Sequence, residues 1–135
     1  MTDDRLQEGP FNPAGLKQQT YYNHGVMRYG QPLFLTGQVA WDAEGNVVGK
    51  GDIDVQADKI WENIGLVITG LGVGPEAIVK LTTYALSRDA IPALHRARSA
   101  FFAGRDLPAS TFVVVAGLAD ADLLAEIDMT VILPE

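Results

Sequence analysis

The chain contains no cysteine, which excludes disulfide staples, thiolate nucleophiles and cysteine-ligated metals. It has only two histidines, His24 and His95, and neither stands in an H-x-x-E-H type of ligand spacing, so a metal is not expected. An apolar run of the roughly 18 residues needed to span a membrane is also missing. The opening "MTDDRLQEG" is too acidic and polar to read as a signal peptide, and a cytoplasmic protein without a membrane partner is expected. Cations are scarce: ten Lys and Arg stand against seventeen Asp and Glu, a formal net charge of -7. Binding to a phosphate backbone needs clustered Lys and Arg, so nucleic acid is not expected as a partner.

What is present is the composition of a globular domain. The 135 residues, 47% hydrophobic and 20% charged, suffice to bury a core. Residues 1–17 carry Pro10, Pro13, Gly9 and Gly15 with little periodicity and read as an irregular arm before a single domain over 18–135. The stretch "YYNHGVMRYGQPLFLTGQVAW" reads as two strands joined at Gly30-Gln31-Pro32. Asp52 or Asp54 can cap a helix whose apolar positions are Val55, Ile60, Ile64, Val67, Ile68 and Leu71, stopped by Gly72 and Gly74.

"AIVKLTTYALSR" is rich in β-formers. A second helix follows Asp89, with Ile91, Leu94, Ala97, Phe101 and Phe102 on its apolar face. "STFVVVAGL" and "LLAEIDMTVIL" close the chain as strands. The order β-β-α-β-α-β-β predicts an α+β fold, one mixed sheet with two helices on one face. Val113, Val114 and Val115 are consecutive and leave both faces of their strand apolar, so a second copy of the chain is expected to cover the face that the helices do not.

The blocks "LFLTGQVAWDAEGNVVG", "IVKLTTYALSRD" and "LPASTFVVVAGLADADLLAEIDMTV" together resemble the RidA family, also called YjgF or L-PSP endoribonuclease, over residues 20–132. The resemblance implies a chorismate-mutase-like fold, a homotrimer, and small-molecule clefts between neighbouring subunits. It further implies cofactor-free hydrolysis of enamines and imines, a deaminase-type reaction. In the family an arginine after the Pro-Ala pair grips the substrate carboxylate with a bidentate fork, and a glutamate on the last strand handles the attacking water. That glutamate corresponds to Glu126, here the expected catalytic residue, and the glycine of the early strand to Gly37. The arginine corresponds to Ser110, with Thr111 beside it, and a cleft asparagine to His95. An aromatic on the first strand is Tyr21 or Tyr22, and His24 on that strand is a further cleft candidate able to exchange a proton near neutral pH.

Taken without the resemblance, Ser110 is also a small residue opening a strand after a Pro turn. Glu126, in phase with Asp128 and Thr130, also fits the polar face of an edge strand, and His24 an exposed strand histidine. Arg28 and Arg88 read as solvated charges. The glycines of "GLGVGP" lack the strand before and the ribose acid after that a dinucleotide site requires. With serine in place of arginine, the expected ligand is a neutral or weakly charged metabolite rather than the usual imino acid. The alternatives are a non-catalytic ligand- or partner-binding trimer and, against the acidic balance, a ribonuclease.

Overall fold

The structure, a computed structural model, describes residues 6–135. The first five residues of the expected arm lie outside the described residues. The rest of the arm contains β1 (Gly9–Phe11), which pairs antiparallel with β2 (Gly25–Met27) as a small ribbon separate from the main sheet. The main sheet is built from β3 (Gly30–Phe34), β4 (Ile78–Ala85), β5 (Ala109–Val114) and β6 (Ala125–Pro134), in the order β3-β6-β4-β5. β6 runs antiparallel to both of its neighbours, while β4 and β5 are parallel. A parallel pair needs a crossover, and α2 (Ile91–Phe102) supplies it.

The expected turn at Gly30-Gln31-Pro32 is not there. β3 begins at Gly30, and the break falls at Arg28–Tyr29 between β2 and β3. Pro32 is accommodated because β3 is an edge strand with β6 as its single neighbour, so a missing N–H can face outward. Gly30 is required: its φ is 148°, and a Cβ would overlap the Leu133 carbonyl. The Thr36-Gly37-Gln38 block lies beyond the end of β3. Gln38 is tied to β6 by a reciprocal backbone pair with Ile127, at 2.7 and 3.0 Å.

α1 (Ile53–Leu71) starts at Asp52, whose side chain accepts from the Val55 N–H at 3.1 Å, and ends at Gly72 in the left-handed conformation. Its buried side chains are Gln56, Ala57, Ile60, Trp61, Ile64 and Ile68, which keep Ile60, Ile64 and Ile68 of the expected stripe, while Val67 and Leu71 are only partly buried. Val55 is exposed and Gln56 takes the inner place. The Gln56 amide donates to the carbonyls of Gly49 and Asp122 at 3.0 and 2.9 Å and accepts from the Leu124 N–H at 2.8 Å. A buried amide satisfied on all these sides pins two loops to one helix.

Both helices cover the same face of the sheet. Leu81, Thr83 and Ala85 of β4 and Ala125, Ile127, Met129 and Val131 of β6 point into the core, while the residues between them face the open side with the period of two that a strand imposes. Trp61, Phe101 and Phe102 join the helices in an aromatic cluster with ring centroids 4.8 to 5.7 Å apart. On α2 the buried side chains are Ala93, Leu94, Ala97, Phe102 and, unexpectedly, Arg98.

Candidate functional site

Ser110, the second residue of β5, lies directly opposite Leu81 of β4, so its side chain leaves the sheet on the helix side. Above it runs the segment leading into β2. Asn23 fastens that segment to the start of β5: its N–H donates to the Pro108 carbonyl at 3.1 Å and its amide to the Leu107 carbonyl at 2.7 Å. This anchor lays Tyr21 over α2, where its ring stacks on His95 with centroids 4.0 Å apart and planes at 24°. Tyr21, Tyr22, His95, Ser110 and Phe112 then line an open cleft of about 600 Å³, with Val113 and Val114 at one side. The size suits a metabolite.

The cleft carries positive charge in an acidic protein. Its lining includes Arg88 and Arg98 and no Asp or Glu. Arg98 reaches from α2 to the place behind Ser110: Nη1 donates to the Ser110 hydroxyl at 3.0 Å and to the Tyr21 carbonyl at 3.3 Å, and Nη2 donates to the Thr83 hydroxyl at 3.1 Å. Burial pushes its pKa down to about 10, which leaves it charged at neutral pH. His95 is held below the ordinary histidine value, first by burial and then by the Arg98 charge.

The structure divides the residues singled out in the sequence into separate groups. Tyr22, His95 and Ser110 share the cleft. Thr111 points the other way, to the open face of the sheet, where Lys80 donates to its hydroxyl at 2.7 Å. His24 is tied to the N-terminal arm: its Nε2 lies 2.7 Å from the Lys17 carbonyl and its N–H donates to Asn12, outside the cleft lining. Glu126 is also outside that lining. It lies on β6 between the buried Ala125 and Ile127, on the open face, with its carboxylate packed against Gly37. A Cβ at Gly37 would overlap that carboxylate, so the glycine is what admits Glu126 there.

Beside this pair the Tyr84 hydroxyl donates to Asp128 at 3.2 Å, and the carboxylate charge of Asp128 raises the phenol pKa. Within the chain, the acid and the cleft are therefore on opposite sides of the sheet. Arg98 is the residue that sequence reading missed. The available signal was a charged side chain four residues after Leu94 and four before Phe102, in the stripe that should have been wholly apolar.

Comparisons with known proteins agree with this architecture. The family model for Endoribonuclease L-PSP matches residues 14–133. A RutC family protein of Synechocystis is 33% identical over 114 residues, covering 84% of this chain and 86% of that protein. A RutC family protein of Pyrococcus abyssi is 29% identical over 103 residues, 76% of this chain and 80% of its own length. Among solved structures, the Rid-family protein YyfB of Yersinia pestis, described as of unknown function, superposes with a TM-score of 0.87 at 32% identity, covering 95% of this chain and all (100%) of that one. The chain belongs to the L-PSP endoribonuclease family, the Rid family that its closing blocks resemble.

Proposed function

We propose that this protein is a Rid-type homotrimer that binds a small metabolite in the Tyr21–His95–Ser110 cleft and hydrolyses an imine or enamine there once subunits assemble. The separation of Glu126 from the cleft carries this reading. A glutamate facing away from its own cleft can act as the water-handling acid-base group only on a cleft contributed by another copy. The clefts between subunits implied by the family supply that arrangement. The exposed side chains of Phe34, Val113 and Val114, 80%, 36% and 50% accessible, lie on the open face and free edge that such a contact would cover.

The family's ribonuclease name finds less support. The cleft is a small pocket rather than a tract, and the chain as a whole is strongly acidic.

The test is release of ammonia from freshly generated imines, alongside the mass of the assembly in solution by light scattering. A trimer whose turnover is lost in Glu126→Gln supports the reading. A monomer, or turnover indifferent to Glu126, defeats the catalytic assignment. A ligand that raises the melting temperature without any turnover would leave a binding protein in its place.

A further inference from the structure

The ring of His95 is fixed in place without either of its nitrogens being used. Tyr21 stacks on it with centroids 4.0 Å apart, and the ring lines the cleft beside Tyr22 and Ser110. Neither ring nitrogen makes a hydrogen bond among the described residues, and neither is buried. His24 is the contrast, since its Nε2 lies 2.7 Å from the Lys17 carbonyl and is occupied there. A structural histidine ordinarily has its ring N–H satisfied in that way. One with both nitrogens open to a cleft can exchange a proton with whatever fills it.

The groups around the ring favour its proton-accepting form. Arg98 follows one turn later on α2, and Arg88 stands in the short turn ahead of that helix. The segment before β2 brings Tyr21 and Tyr22, while β5 brings Ser110 and Phe112 and no charge. From α1, Asp54 and Asp58 reach toward α2, and both are engaged by Arg96. No carboxylate lines the cleft to hold a proton on the imidazole. Burial and the Arg98 charge therefore keep His95 below the ordinary histidine value.

We infer that His95 is a second acid-base residue of the cleft, the base that completes the release of ammonia. The inference rests on the hydrolase reading above and adds a division of labour to it. Glu126 enters from a neighbouring copy and His95 from the cleft's own helix, so they approach the ligand from different walls. A protonated imine is the starting point. Glu126 removes a proton from water as the water oxygen bonds to the imine carbon, then returns that proton to the nitrogen of the carbinolamine. The C–N bond breaks with its electron pair leaving on ammonia. As the C=O bond forms, His95 takes the hydroxyl proton, which it later passes to solvent.

The experiment follows ammonia release from freshly generated 2-iminobutanoate and benzaldimine, one anionic and one neutral, between pH 5 and pH 8. The wild-type kcat/KM is expected to fall on the acid side with an apparent pKa below the ordinary histidine value of about 6.5. His95→Phe keeps a ring for Tyr21 to stack on but carries no exchangeable proton. It should lower kcat by about a hundredfold or more, remove that acid limb and leave KM nearly unchanged. His95→Asn should behave alike, and imidazole added to His95→Ala should restore part of the rate.

If kcat and the acid limb survive in His95→Phe while Glu126→Gln abolishes turnover, the hydrolase stands and the role of His95 is overturned. A raised KM with an unmoved pH profile marks a ring that only shapes the cleft, and overturns the role as well. Should His95→Phe fail to fold, His95→Asn and the imidazole rescue decide. A wild type that releases no ammonia from either imine removes the hydrolase reading and the part of His95 together.

Discussion

His95 stands under two influences that both favour its neutral form: partial burial against Tyr21 and the charge of Arg98. Its pKa is lowered in the folded state, so the unfolded chain binds the proton more readily. Above the unfolded value of about 6.5 the residue has no effect on the pH dependence of stability. As the pH falls below that value and through the lowered folded one, stability is lost. Thermal unfolding followed from pH 8 to pH 5 should show this decline, and His95→Asn should flatten it. A second residue-scale expectation concerns Gly37. In Gly37→Ala the new methyl meets the movable end of Glu126 rather than backbone, so the melting temperature should change little. Any activity that depends on Glu126 should nevertheless fall as far as it does in Glu126→Gln, because the carboxylate is displaced.

At the scale of elements, α1 depends on contacts of two kinds. The first is local: Asp52 caps the first turn, and Asp52→Ala should cost about 1 kcal/mol in chemical denaturation. The second is long-range. Gln56→Leu would leave the buried Leu124 N–H and two carbonyls without their partner and should cost about 2 kcal/mol or more. The two helices and the strand alternation of β6 were legible in the sequence, because caps and periodicity are set by neighbours within a few residues. The true start of β3 was not, since Pro32 is tolerated only where the strand is an edge, and edge status belongs to the sheet. Gln56 and Arg98 were missed for a related reason. Both are polar side chains inside an apolar stripe, and their partners lie 66 residues away at Asp122 and 77 residues away at Tyr21.

For the whole molecule, the sheet is covered on one face only. α1 and α2 pack on that side, while Phe34, Val113 and Val114 remain exposed on the other face and at the β5 edge. Assembly through this surface is expected to be sensitive to charge, because a charge buried in the contact would be uncompensated. Phe34→Glu should therefore convert the proposed trimer to smaller species by light scattering while preserving the far-UV circular dichroism. Glu126-dependent turnover should disappear with the assembly.

The sequence by itself determined the α+β order, the family and the approximate ends of α1. These follow from local periodicity and from blocks of residues read in line. The tertiary structure alone decided that Ser110 and Glu126 emerge on opposite faces, since strand phase and register set which way a side chain points. It alone also placed the guanidinium of Arg98 behind the serine, where a helix crossing over the sheet brings a cation to a strand that has none.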